Sequence, residues 1–432
     1  MFDKTFCSSP WIHMRIRSNG DFEFCRWANK EIGEKHNIKD TSIKDYFQKH
    51  ISTIRKDLLD GKSLKECDSC YVMEKYGKIS GRQKQLLKVG IIENQFKKTF
   101  NSSTFLDNFK YSNENNGDTD RLPVDWQIDL GNYCNSACVM CSPRSSSKLA
   151  GEWLKLGLID SPYDNFSWAQ DTTLLNKFVE ELSGIKNLQY LHFLGGETLI
   201  TPGLSKILEE LIKHKINKNV IIGLTTNLTV WPERTIELLK SFKYVHLGLS
   251  IESLDKINDY VRWPSNIVDV KNKLDNFVKL GHEHDWSVSI RVTPNLLTMT
   301  RLKELYQYAY DNSVGIESCN FLYKPEFLRI DLLPDNLRQD AVHSINEFID
   351  KNQSKGTSSD MPIINVRNKG TIRETVLHDA KSVVSYLKKQ RQYDKSTYVD
   401  LIKFLKKLEN NRKNKILDYL PEYEEFFRSI GY

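Results

Sequence analysis

The chain has no run of about 18 apolar residues, so no membrane span is expected. Its first ten residues, MFDKTFCSSP, lack the basic and then apolar order of a secretory signal, and a cytoplasmic location is the expectation. No repeat of fixed period and no long low-complexity tract occurs. Neither sign of charge dominates: 62 Lys and Arg face 56 Asp and Glu, and a net charge of +6 permits an acidic partner without demanding one. Trp11, Trp27, Trp153, Trp168 and Trp263 are scattered, so no aromatic platform for nucleic acid stands out and none is expected as a partner. Beyond residue 141 there is a single cysteine, Cys319; the other seven lie in the first third. In a reducing compartment such a cluster points to metal rather than disulfides.

What is present is a globular chain of 432 residues, 39% hydrophobic and 27% charged, long enough for two or three domains and a core without disulfides. Residues 1–85 hold Cys7, Cys25, Cys67 and Cys70 and a hairpin signal, WIHMRIRSNGDFEFCRW, whose Asn19-Gly20 suits a tight turn. Residues 86–122 are polar and weakly periodic and are expected to be a linker, mostly loop. From 123 to about 330, short β-rich runs alternate with amphipathic helical runs, which implies βα units and a parallel sheet. Strands are expected within 125–131, 188–196, 218–227, 244–252, 287–295 and 317–323. Six strands fit part of a barrel; an open doubly wound sheet is the alternative. Residues 331–432 read as helical.

Cys134, Cys138 and Cys141 follow the first strand of the βα series with spacing C-x3-C-x2-C. Thiolates are soft ligands for iron–sulfur clusters and zinc. A structural zinc site wants four protein ligands, whereas three leave a metal position open for chemistry. The ends of barrel strands are where βα barrels place active sites.

This motif resembles that of the radical S-adenosylmethionine (SAM) enzymes. The resemblance implies a [4Fe-4S] cluster on Cys134, Cys138 and Cys141, with SAM on the fourth iron as the source of a 5′-deoxyadenosyl radical. It extends over about 125–325 through motifs at successive strand ends. Gly195-Gly196-Glu197, followed by Thr198 where proline is usual, would approach SAM, with Glu197 accepting from its amino group. Thr226 and Asn227 lie at the next rim. Ser250, Glu252 and Arg262 come next, and a serine and arginine here imply ribose and carboxylate contacts. Thr293 and Asn295 would touch the adenosine, and Met140, where an aromatic is frequent, would pack on adenine.

The remaining four, C-x17-C-x41-C-x2-C, can close a coordination shell, either as a four-cysteine zinc site or as a fully ligated [4Fe-4S] cluster. They resemble the auxiliary-cluster module called SPASM or, when smaller, Twitch, although such modules usually follow the barrel. A fully ligated cluster would move electrons, favouring a net oxidation. Cys319 is expected to be buried and reduced. His282 and His284, and the basic C-terminal run, are expected at the surface.

The fold expectation is therefore α/β: a partial (β/α)6 TIM-like barrel, a small N-terminal cysteine-rich α+β domain and a C-terminal helical region. The functional expectation is an oxidative modification of a peptide or protein, with a carbohydrate or other small molecule as the alternative substrate and a flavodoxin- or ferredoxin-type reductant. Two other classes compete: a non-catalytic iron–sulfur carrier, and a zinc-ribbon nucleic-acid module fused to a barrel.

Overall fold

The computed structural model describes residues 4–29, 34–75, 79–90, 102–161, 167–353, 371–389 and 396–432. Strands β1 (His13–Ile16), β2 (Phe22–Glu23), β3 (Asp125–Asp129), β4 (Tyr190–Leu194), β5 (Ile221–Thr226), β6 (Tyr244–Ser250), β7 (Ser287–Arg291) and β8 (Gly315–Glu317) form one sheet. Its order is β2-β1-β3-β4-β5-β6-β7-β8. β3 to β8 are parallel neighbours in sequence order, with helices in the crossovers; five lie within the expected runs, while β8 comes earlier than the 317–323 expected. The two edges, β2 and β8, do not pair, so this is a partial, open barrel.

The strands alternate in a way that fixes which face is which. Trp126, Ile128, Leu191, Phe193, Ile222, Leu247, Leu249 and Ile290 are at most 1% exposed and meet the surrounding helices. The alternate positions, including Asp125, Gln127, His192, His246, Ser289 and Arg291, face the barrel interior, where a closed barrel usually stacks Val, Ile and Leu.

The N-terminal hairpin joins this sheet. Gly20, at φ +90, closes the turn, and its amide donates to the Arg17 carbonyl at 2.8 Å. β1 pairs antiparallel with β2 and parallel with β3, in register His13↔Asp125 to Ile16↔Ile128. The cysteine-rich segment is thus continuous with the barrel in one eight-stranded sheet.

The linker expected at 86–122 is corrected in part. A helix spans Ser102–Glu114, because Phe105 and Phe109 recur at helical spacing and pack with Phe6 and Trp11. Residues 91–101 of that expectation, and 390–395 of the basic run, lie outside the described residues. After β8 the chain is helical, over Asp335–Gln353, Ile372–Leu387 and Thr397–Arg412. Among the described residues no helix is long and apolar enough to cross a membrane.

Candidate functional site

All parallel strands end at one rim, and the cysteine loop crosses it just after β3. The loop's backbone is held from several sides. Val139 N–H donates to the Val261 carbonyl at 2.8 Å, and Ser146 Oγ donates to the Ser136 carbonyl at 2.7 Å. Asn227 Nδ2, just past β5, donates to both Asn135 Oδ1 and Ser136 Oγ at 3.0 Å. Asn227 therefore fixes the residues between Cys134 and Cys138.

The two glycines after β4 serve the same loop. Gly195 and Gly196 have φ of +97 and +57, and a Cβ on either would meet backbone: Gly131 O at 2.3 Å or Tyr133 O at 1.9 Å. The close approach that requires glycine is thus to the cysteine loop. Glu197 is 1% exposed. Its carboxylate accepts from the amides of Leu199 at 3.1 Å and Asn227 at 2.6 Å, tying the end of β4 to the end of β5. Burial pushes its carboxyl up, and these donors pull it back. Thr226 is equally engaged: it is buried and its hydroxyl accepts from Leu228 N–H at 3.2 Å.

Glu252 is fully buried, accepts from Thr293 N–H at 2.9 Å and pairs with Arg262 at 2.5 Å. Burial raises its carboxyl, against the pull of Arg262. The Arg262 guanidinium also faces the thiols: its charge lowers Cys134, Cys138 and Cys141 alike. Burial wins nevertheless, holding Cys138 at about 12 and Cys141 at about 11. Arg262 Nε is buried without a hydrogen-bond partner among the described residues. The Ser250 hydroxyl at the end of β6 is half-buried and also has no protein partner among them. Asn295 is turned to the protein, its Oδ1 accepting from Leu297 N–H at 3.0 Å. Met140 is half-buried against the core.

Arg412, in the basic run expected to be solvated, is a correction. Its side chain is 0% exposed; Nη2 donates to the Ala137 carbonyl at 2.7 Å and pairs with Glu152 at 2.6 Å. Nη1 reaches the Tyr260 carbonyl at 3.1 Å. The C-terminal region thus clasps the cysteine loop from behind. Nothing in the local spacing separates this arginine from its solvated neighbours. Cys319 is also a correction: it is exposed, because β8 has ended and Ser318 takes the buried position, and its thiol donates to Asp379 at 3.4 Å. His282 is exposed as expected, whereas His284 is half-buried and stacks on Trp286.

In the N-terminal segment, Cys7, Cys25 and Cys70 are buried and Cys67 half-buried. Burial and mutual charge repulsion raise Cys25 to about 11 and Cys67 to about 12. Cys7 is pushed up further by burial, then by Cys25 and Cys67. Cys25 and Cys67 act on Cys7, and Cys70 acts on Cys25 and Cys67, so the four lie within electrostatic reach of one another.

Residues 128–309 match the model of the Radical SAM superfamily. The match covers less than half of the chain. No curated protein matches the chain. Among solved structures, the chain is similar to Streptococcus suis SuiB at 16% identity, over 82% of this chain and 70% of that one, with a TM-score of 0.37. A structure titled native anSMEcpe with bound AdoMet is similar over 53% of this chain and 60% of that one, at 18% identity and TM-score 0.38.

The family implies an iron–sulfur cluster and SAM, and the residues present fit both. Among the described residues only Glu34, His36 and His50 bring three ligand atoms within 4.8 Å of one another. Neither cysteine set is that tight. Four thiolates on one zinc, with Zn–S of about 2.3 Å, would have sulfurs only about 3.8 Å apart. The orphaned Arg262 Nε and the unpartnered Ser250 hydroxyl are open donors on the same rim, as a cofactor bearing a carboxylate and ribose hydroxyls requires. A larger hollow, 890 Å³, lies around Trp11, Gln189 and Tyr244 at the opposite end of the barrel and contains no cysteine, so it is set apart from this chemistry.

Proposed function

We propose that the protein is a radical SAM enzyme carrying out a net oxidation of a peptide or protein substrate, with a second iron–sulfur cluster on Cys7, Cys25, Cys67 and Cys70. The observation that carries this reading is the placement of the Arg262 guanidinium between buried Glu252 and the three thiols at the rim.

Cys134, Cys138 and Cys141 would hold the catalytic cluster. When bound, cluster and SAM supply a carbon-centred radical that removes a hydrogen atom from substrate. The chain's own residues prepare for this. Arg262 would take the SAM carboxylate, because a guanidinium offers parallel donors and its charge is held in place by Glu252. Ser250 would donate to or accept from a ribose hydroxyl. Thr226, Asn227, Gly195, Gly196 and Glu197 hold the loops at their spacing, and Thr293 and Met140 would border the adenosine. Residues 1–85 would form the auxiliary module, 123–330 the catalytic core and 331–432 the helical clasp.

The four-cysteine set supports the oxidative reading. Four protein thiolates leave no open metal position, so that site suits electron transfer. A small-molecule substrate is the second reading; the polar barrel interior favours it as much as an inserted peptide side chain.

The test is made on anaerobically reconstituted full chain. Iron and sulfide are counted, then dithionite and SAM are added. About eight irons per chain with 5′-deoxyadenosine formed is the expected result. Four irons with one zinc would remove the auxiliary electron acceptor. Clusters without SAM cleavage in reduced protein would overturn the reading in favour of a carrier.

A further inference from the structure

The interior of this barrel is charged where a barrel core is normally apolar. Buried polar groups cost stability unless they are satisfied; Asp125 and Gln127 are buried here, whereas the Arg291 and Glu317 side chains each remain 39% exposed. A cavity of 260 Å³ lies there, bordered by inward side chains of β3 to β8 and by residues of the N-terminal segment. Two glycines help to shape it. A Cβ at Gly223 would stand 2.6 Å from Tyr190 Oη, and one at Gly248 would stand 3.1 Å from Arg291 Nε.

Among the described residues bordering the cavity, Arg26, Lys88 and Arg291 lie with the acids Asp125 and Glu317. Lys88 pairs with Asp125 at 2.7 Å, and Arg291 pairs with Glu317. Arg26 is exposed at the edge of the cavity, has no carboxylate within 4 Å among the described residues and rests on the Trp27 ring at 4.0 Å. Arg291 Nε is buried without a hydrogen-bond partner. His192 and His246 add hydrogen-bonding groups without charge: burial, with nearby cations, holds them down at about 3 and about 4.

We infer that this chamber binds an oxyanion of the substrate, a carboxylate or phosphate, between Arg26 and Arg291. Guanidinium groups suit such anions through paired donors. The position deepens the reading above and rests on it for its purpose. At one side Arg26 directly follows Cys25, and Trp27 N–H donates to Cys25 Sγ at 3.4 Å. At the other, Arg291 leads two residues on to Thr293, which is bonded to the Glu252 that holds Arg262. A substrate anchored here would lie between the two cysteine sites.

The probes are glutarate, inorganic phosphate and the neutral glutaramide, titrated by calorimetry into the reconstituted full chain. Either anion should bind, and glutaramide at least tenfold more weakly. Arg26→Gln and Arg291→Gln should each weaken the anion at least tenfold, while Arg26→Lys keeps part of the affinity. Added salt should also weaken it. Preference for glutarate identifies a carboxylate, and preference for phosphate identifies a phosphate ester. A second measurement needs no variant: phenylglyoxal labelling of Arg26, read by mass spectrometry, should be slowed by the preferred anion and not by glutaramide. Failure of both anions to bind, equal binding of glutaramide, or labelling that no anion slows overturns the inference. The same samples are assayed for 5′-deoxyadenosine. Anion binding without SAM cleavage leaves the chamber standing and removes the radical reading; SAM cleavage without anion binding does the reverse.

Discussion

The three-cysteine loop and the four-cysteine set differ in what surrounds the sulfur. The loop lies at strand ends beside a guanidinium whose charge opposes the burial and mutual repulsion that raise the loop's thiols, with an orphaned donor beside it. Around the N-terminal set, the charges that act most strongly on Cys7 are other thiols, and each raises it. The first environment invites an anionic ligand to complete it; the second is complete in sulfur. Sulfur count alone would suggest this contrast, and the surroundings give it a physical cause.

The largest effect should come from breaking the open site. Cys138→Ala should abolish 5′-deoxyadenosine formation and lower the iron content by about four per chain. The double change Cys67→Ala with Cys70→Ala should remove a similar amount of iron yet leave SAM cleavage measurable, while product formation stops. Equal loss of SAM cleavage in both variants would erase the distinction between the sites.

Next is the clasp. Arg412→Ala leaves Glu152 buried without its partner and frees the Ala137 carbonyl. Breaking a buried pair from one side costs about 3–5 kcal/mol. Thermal unfolding should show that loss, and the cluster should bleach faster on dilution. An unchanged melting temperature would mean that the cysteine loop does not depend on the C-terminal region.

Much of this was legible before any coordinates. Alternating β and helical runs gave the six parallel strands, because each apolar stripe must meet a helix or a neighbour. The cysteine spacing, read together with Gly195-Gly196 and Arg262, located the rim. Other features left no signal in a single sequence. Asn135, Ser136 and Asn227 lie about ninety residues apart and bond only because two strand ends are neighbours. Arg412 looks like any residue of its basic run. The helix at Ser102–Glu114 was obscured by its polar neighbours, although Phe105 and Phe109 stand one turn apart. Nor does the spacing show that the backbone Gly195 and Gly196 approach is that of the cysteine loop.

A smaller effect should follow from the rim arginine. Arg262→Gln removes a charged donor, a loss of about 1.5–3 kcal/mol for a hydrogen bond to a charged group. SAM affinity should fall by roughly ten- to a hundredfold, with iron content unchanged. Pairing it with Glu252→Gln should restore stability, since no buried carboxylate is then left alone, but should not restore SAM affinity. Recovery of both would make Arg262 a purely structural partner of Glu252.

The smallest effect concerns pH and contrasts the barrel interior with its surface. Burial, then the charges of Arg291 and Arg26, then His246 and Lys88, hold His192 at about 3 in the folded chain. An unfolded histidine titrates near about 6.5. The unfolded chain therefore binds the extra proton first as pH falls. The contribution of neutral His192 is fully present above about 6.5 and is lost progressively as pH drops toward about 3. His192→Gln should flatten the acid limb of the unfolding profile between these values. His282→Gln, at an exposed helix end, should leave it unchanged. Equal flattening by both would mean that the interior is as open to water as the surface, and the charges of Arg26 and Arg291 would then be too well screened to select an anion.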